Sequence, residues 1–454
     1  VLDNCEHVVG GAASLAATLA EGAPDIRVLA TSREPLGVRE ERVITVAPLD
    51  AAGAAADLFA ERARAADPHF DIARCRADVE ELCGRLDGVP LAIELAAARA
   101  RVLTPLEITA RLDERLRLLT GGRRTDAARH RTLRATVQWS YDLLRSGERT
   151  LFDRLAVFAG PFDLGAAEAV AADVELAALD VDDHLAALVD RSMLIVESGP
   201  FGRRFRMLET MRSFGAERLE ATGASAAVGA RHSEWCRSQL AAIRRLLLGA
   251  EEVEGVARLD ELWPNLRAAV DRALGRCDQA LAVALVRPIV AEVLLRSRQE
   301  IGDWLERILR VASAPDDETV VFCLSWAARR HAVARERSAW DRLAADHGPP
   351  PDVLVHHARV FVHDDHAGLL EWAPRASARL REDGDEQGAR LAEVDVGAAL
   401  LNLGRMAEHD RWMRMLAERY RVEGPPTLHN WTLMFLGYSA RLRGDDDEAE
   451  RRFA

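Results

Sequence analysis

Apolar positions along the first 50 residues alternate between short runs and one helical stretch. Val1-Leu2-Asp3 reads as a strand end that leads into a helix over about His7–Glu21, stopped by Gly22 and Pro24. A second apolar run, Ile26–Thr31, ends in the polar turn Ser32-Arg33-Glu34-Pro35, and Arg42–Ala47 forms a third strand candidate. Short apolar strands joined by a helix fit a buried parallel sheet, of which this segment would be the later part. From Ala51 to Gly122 the period becomes helical, interrupted at Gly88-Val89-Pro90, and Thr104 with Pro105 and Glu107 is a strong helix start.

Residues 128–222 change pattern again. Helices are expected over Thr132–Leu144, Gly147–Phe158, Asp163–Ala172 and Val181–Arg191. Two strands follow, Met193–Glu197 and Arg203–Leu208, around the turn Ser198-Gly199-Pro200, and a helix over Glu209–Leu219 closes the unit. Helices, a two-stranded ribbon and a closing helix make a winged helix. Beyond Ala224 the chain is helical throughout. Turn signals at Gln299–Gly302, Ala332–Arg335, His363–His366, Gly404–Met406 and Gly444–Asp446 recur at the spacing of stacked helical hairpins.

The fold expected is therefore mainly α. It comprises the C-terminal part of a P-loop α/β domain (1–50), a helical domain (51–127), a winged helix (128–222), a helical linker region (223–298) and an α-solenoid of tetratricopeptide-like hairpins (299–454). At roughly 150 residues per domain, 454 residues suit about three such units.

Composition sharpens this picture by exclusion. The chain is 49% hydrophobic and 29% charged with a net charge of −13, the profile of a soluble globular protein. All 60 basic residues in the Lys+Arg count are arginine. A Walker A loop needs a lysine for the β- and γ-phosphates, so none lies in these residues, and lysine Schiff-base chemistry is excluded too. The longest apolar stretch, Ala280–Leu295, is broken by Arg287, Pro288 and Glu292, so no membrane span is expected. Six scattered cysteines without a C-x-x-C point to reduced thiols and a cytoplasmic setting. The chain opens within an apolar strand, has no methionine before Met193 and stops two turns into its last helix, so a piece of a longer protein is expected.

Five segments in order carry a family resemblance. Val1-Leu2-Asp3-Asn4-Cys5-Glu6-His7 with Ala30-Thr31-Ser32-Arg33-Glu34-Pro35-Leu36 resembles the nucleotide-binding domain of STAND signal-transduction ATPases, in the NB-ARC-like branch of large bacterial transcriptional regulators. Gly88-Val89-Pro90-Leu91-Ala92-Ile93-Glu94-Leu95-Ala96 is similar to that family's GLPL-type motif. The segment from Leu133 through Trp139 to Leu144 resembles the start of its winged helix, and Glu261–Ala269, with Leu262-Trp263-Pro264-Asn265-Leu266, the approach to its repeats.

The resemblance implies ATP or ADP with Mg²⁺ as ligands of the full-length protein, the phosphate loop being supplied upstream. It assigns Asp3 to holding Mg²⁺ through water, a role suited to a hard cation that keeps its hydration shell. Asn4 stands where many such ATPases carry a second acid; an amide orients water but takes no proton, so hydrolysis would be slow or served by Glu6. Arg33 would read the γ-phosphate, as a guanidinium suits charge-assisted bonds, and Pro90 would pack on the adenine. The winged-helix nucleotide sensor maps to Met207-Leu208-Glu209, where leucine cannot make the phosphate contact of the family's histidine.

Structural readings stand beside these. Asp3 could simply cap the following helix, Arg33 could be a surface turn residue, and Pro90 is also a helix-starting proline. If this winged helix bound DNA, its groove-entering helix would be Val181–Arg191, which holds Asp182, Asp183 and Asp190 against Arg191 alone. Phosphate backbones demand the opposite sign, so DNA contact is assigned to a domain outside this chain. The histidine run His356–His366 contains metal-ligand types but straddles a repeat turn, and the tryptophans from Trp304 to Trp431 suit inter-helix packing.

The function expected is the ATP/ADP-dependent switch region of a bacterial transcriptional regulator. A protein or small-molecule inducer would be sensed on the repeats, with self-association on activation and no membrane partner. A nucleotide-independent scaffold that binds a protein partner, or the regulatory region of a non-transcriptional enzyme, are the alternatives.

Overall fold

The computed structural model describes residues 1–454 apart from 4, 6–7, 24–25, 33–34, 40, 45, 47, 87, 112–133, 135–136, 312–314 and 454. The chain divides into two compact units, Val1–Leu133 and Arg134–Ala454.

In the first unit the segments at Leu2 and Ala30 lie side by side in parallel. The Leu2 amide donates to the Leu29 carbonyl at 2.8 Å, and the Thr31 amide to the Leu2 carbonyl at 2.8 Å. Helix α1 (Val9–Gly22) links them. The third strand expected over Arg42–Ala47 does not form among the described residues: Val43, Ile44 and Val46 are 59%, 72% and 90% exposed. A short apolar run makes a strand only where a neighbouring strand takes its hydrogen bonds, and among the described residues none pairs with this one.

Helices α2 (Ala54–Ala66), α3 (Arg76–Arg85), α4 (Pro90–Ala97) and α5 (105–111) complete the described part of this unit. Phe59, Leu82, Ile93 and Leu95 are wholly buried, as α2 packs on α3 and α4. The turn into α4 requires glycine. Gly88 has φ +63°, and a Cβ there would lie 2.1 Å from the Leu49 carbonyl oxygen. The start of α5 is a reciprocal cap: the Thr104 amide donates to Glu107 at 2.8 Å, and the Glu107 amide to the Thr104 hydroxyl at 3.3 Å.

The second unit opens with a winged helix: α6 (137–142), α7 (Ser146–Leu155), α8 (Leu164–Ala171), α9 (Val181–Asp190), strands β1 (Ile195–Gly199) and β2 (Gly202–Arg206), then α10 (Glu209–Ala221). Asp163 caps α8 by accepting from the Ala166 amide at 2.8 Å. The strands pair antiparallel, Ile195 opposite Arg206 and Gly199 opposite Gly202. Met193 and Leu194, expected in the first strand, instead lie buried ahead of it. The first strand's turn therefore falls at Pro200-Phe201, one residue later than the pattern suggests.

Thirteen named helices follow among the described residues, beginning with the long hairpin α11 (Ser225–Leu247) and α12 (Glu252–Gly275). Then come α13 (Gln279–Val286), α14 (Glu292–Leu295), α15 (Gln299–Val311), α16 (Asp317–Ala334), α17 (Arg337–His347), α18 (Val353–Val362), α19 (His366–Glu382), α20 (Glu386–Asn402), α21 (Met406–Glu423), α22 (Pro426–Leu442) and α23 (Asp446–Phe453). From α18 onward each helix packs on the next, which is the architecture of stacked helical hairpins.

Of the expected turns, Gln299–Gly302 is instead the first turn of α15; the chain reverses just before it, at Ser297 with φ 52°. The others hold left-handed residues: Arg335, Asp364, Gly404 and Gly444. Trp304 and Trp340 are fully buried, and the Trp340 indole donates to the Leu324 carbonyl at 3.1 Å. The array also touches itself over long range: Glu252 accepts from the Thr427 amide at 2.8 Å, and Arg244 donates to the Gly384 carbonyl at 3.0 Å.

Candidate functional site

Of the residues expected to serve a nucleotide, the structure brings one pair together. The parallel bridge places Asp3 beside Thr31, whose hydroxyl donates to Asp3 Oδ1. Both are exposed at the ends of their segments, and the Cys5 amide donates to the Thr31 carbonyl at 2.9 Å. One carboxylate oxygen of an exposed aspartate is thus held, and an exposed carboxylate of this kind is the donor type that could meet hydrated Mg²⁺. Asn4, Glu6 and Arg33 lie outside the described residues. Pro90 is exposed at the first position of α4, on a turn tied down by the Leu49 amide bonding the Gly88 carbonyl at 2.9 Å. Thr31 was not singled out in the sequence; the polar end of a predicted strand next to Asp3 was the available signal.

Met207 is buried and half-buried Leu208 is the residue preceding α10; Glu209 begins that helix.

The winged helix is engaged by the helices that follow it. Asn265, fully buried within α12, accepts from the Gly160 amide at 3.1 Å and donates to the Pro161 carbonyl at 2.9 Å. Pro264 packs on the same turn, since a Cβ on Gly160 would lie 2.9 Å from the proline Cβ. The Trp-Pro-Asn sequence inside α12 is therefore a clamp on the turn between α7 and α8. Trp263 faces the other way, stacked on Trp304 at 5.3 Å with its indole donating to Glu300 at 2.9 Å. Next to the clamp, the His232 imidazole is pushed down to about 3 by burial and by Arg272, whose guanidinium donates to its Nδ1 at 3.3 Å. It stays neutral at physiological pH.

The wing is engaged too. Arg204 on β2 pairs with Glu261 of α12 and, at 3.5 Å, with Asp163, while Arg206 pairs with Glu197 across the ribbon at 2.7 Å. Phe201 at the tip lies under the guanidinium of Arg258, 4.3 Å from its ring centre. On α9, Asp182, Asp183 and Asp190 are exposed. Arg191, just after it, pairs with buried Glu148 at 2.9 Å and donates to the Ala187 carbonyl. The basic groups that DNA would require are thus largely committed to carboxylates, and the helix that would enter a groove is acidic.

Deeper in the repeats sits a buried charged group that periodicity could not reveal. Arg329 on α16 forms a bidentate pair with Asp395 on α20, at 3.1 and 2.7 Å, and His357 on α18 lies 3.1 Å from the same carboxylate. Burial raises the Asp395 carboxyl, but Arg329 and His357 more than offset this and hold it below its ordinary range. Each side chain comes from a different helix, so the group fastens three helices together. It is His357 of the histidine run that is used here, toward a carboxylate; among the described residues no cluster of three or more ligand-type side chains could hold a metal. No helix among them is long and apolar enough to cross a membrane.

Comparison with known proteins agrees with the winged helix. Residues 144–220 match the family described as "Winged helix-turn-helix domain". Over 287 residues the chain is 43% identical to a Mycobacterium tuberculosis protein named "Putative HTH-type transcriptional regulator", covering 63% of this chain and 32% of the relative. An "Uncharacterized protein" of the same organism is 42% identical over 234 residues, covering 51% of this chain and 60% of its own length. Among solved structures, a STAND protein with a tetratricopeptide repeat sensor from Pyrococcus horikoshii aligns with 99% of this chain and 66% of its own, at 14% identity and a TM-score of 0.44. At that score the alignment establishes no shared fold. The chain spans about a third of the length of the named regulators that it resembles.

Proposed function

We propose that this chain is the regulatory portion of a larger HTH-type transcriptional regulator, in which the winged helix links a nucleotide-responsive unit to sensing helical repeats. One observation carries the reading: the winged helix is bound to α12 through Asn265, Pro264 and Arg204, while its would-be recognition helix exposes carboxylates. A winged helix arranged this way transmits position rather than reading DNA. The relatives named as regulators support a role in transcription, with DNA contact assigned to another part of the full-length protein.

For the nucleotide, the Asp3–Thr31 pair supports the expectation drawn from the sequence. Mg²⁺ bound with ATP would neutralise phosphate charge. Asp3 would orient a metal-bound water, with Thr31 keeping the carboxylate in place. Arg33 would sense the γ-phosphate and Pro90 would face the adenine, with Asn4, Glu6 and the Leu208–Glu209 turn as further neighbours. Cytoplasmic location and self-association on activation belong to the same proposal.

Two measurements test it. Electrophoretic mobility of duplex DNA should be unaffected by the 454-residue chain, and retardation lost on R203Q/R206Q would overturn the coupling role. Calorimetry with Mg-ATP should show micromolar binding for the full-length protein but not for this lysine-free chain. Absence of binding in the full-length protein, or equal binding in both, would refute the nucleotide assignment.

A further inference from the structure

A cleft of about 330 Å³ opens where the wing and the Gly160-Pro161 turn meet α11 and α12. That volume suits a small organic molecule. Its floor is apolar and aromatic, with Phe162, Trp235, Ile243 and Leu262 among the lining residues.

The charged residues around it sort by partner. Arg204 is shared by Glu261 and Asp163, and Arg258 pairs with Glu254 at 2.7 Å while lying on Phe201. Arg245 and Glu251 also line the cleft and have no side-chain partner among the described residues, not even each other. Gln239 adds an uncommitted amide. An apolar floor is therefore accompanied by one cation and one anion, both exposed and paired neither with each other nor with another side chain among the described residues. A ligand with one charge would leave the other group unanswered, whereas a zwitterion with a flat apolar body answers both.

We propose that this cleft binds a free α-amino acid with an aromatic or large apolar side chain. Its carboxylate would meet Arg245, its ammonium Glu251, and its side chain the floor beside Trp235. Because the walls come from the wing on one side and the α11–α12 hairpin on the other, occupancy would tighten the joint between them. That regulatory consequence rests on the coupling role proposed above; the binding site itself does not.

The test is calorimetry of the 454-residue chain with L-tryptophan and L-phenylalanine, against tryptamine and indole-3-acetate, which each lack one charge. Binding of an amino acid at least about ten-fold tighter than either analogue is expected. R245Q and E251Q, both surface changes with melting curves like the parent, should each weaken it by about ten-fold or more. No heat up to millimolar amino acid, equal binding of a singly charged analogue, or binding unchanged in both variants would overturn the site. Hydrogen exchange at Phe201–Arg204 with and without ligand then reads the coupling separately: binding without added protection there would refute the joint's role and leave the site standing.

Discussion

Replacing Asn265 by alanine tests whether the α12 clamp holds the winged helix. The side chain is fully buried and makes two bonds to one turn, accepting from the Gly160 amide and donating to the Pro161 carbonyl. Truncation leaves the buried Gly160 N–H without its acceptor, at a cost of about 1–3 kcal/mol, and the half-buried Pro161 carbonyl without its donor, about 0.5–1.5 kcal/mol. Together these give about 2–4 kcal/mol, enough to loosen the joint without unfolding the whole chain. Asn265→Asp should cost at least as much, since a carboxylate cannot donate to Pro161 and would bring a charge into a dry site. Asn402→Ala is the control: its amide is exposed and bonds only the Ala398 carbonyl in its own helix. A protein of several units need not unfold in one step, so amide exchange followed residue by residue is the fitting assay. Faster exchange should be confined to the Gly160 turn, the wing and the middle of α12. An Asn265→Ala protein within about 0.5 kcal/mol of wild type at the Gly160 amide would refute the clamp.

Three further outcomes follow from particular contacts. Arg329→Met strands the buried Asp395 carboxylate and should cost about 3–5 kcal/mol, whereas Arg329→Met with Asp395→Leu should recover most of it; a double variant as unstable as the single, by thermal melting, would show that the pair is not what matters. Asp153, which accepts from the Tyr141 hydroxyl at 2.8 Å, has its carboxyl pushed from an ordinary 3.8 up to about 6 by burial. Its protonated form is thus favoured in the fold, so stability on the order of 3 kcal/mol is fully present below pH 3.8 and lost as pH rises through about 6; Asp153→Asn should remove that slope from urea midpoints measured across the window. Finally, Gly88→Ala should destabilise the first unit by several kcal/mol, as φ is +63° and the new Cβ meets the Leu49 carbonyl, while Gly84→Ala, with open space in a helix, should stabilise by about 0.5–1 kcal/mol; circular dichroism on melting separates the two.

Local pattern alone was enough for most of the helices, for the presence of the wing hairpin though not its exact turn, and for most repeat turns. Helical periodicity, the Thr104–Glu107 cap, Asp163 ahead of α8 and the glycines at 404 and 444 are all short-range signals, and each emerges where it was expected. The acidity of α9 could likewise be read directly from Asp182, Asp183 and Asp190. What needed the tertiary structure was every statement about a partner distant in sequence. The Arg42–Ala47 segment is rich in β-branched residues like a strand, yet whether it becomes one depends on a neighbour. Asn265 reads as an ordinary helix residue until its 105-residue reach to Gly160 is seen. Arg329, His357 and Asp395 are unremarkable in three separate helices until packing excludes water from all of them. Arg245 and Glu251 became a candidate site only once the surrounding charges were known to be paired elsewhere. A single chain segment encodes its own backbone period through local sterics and hydrogen bonding; which side chains share a dry site depends on long-range packing, and that was settled only when the helices were in place.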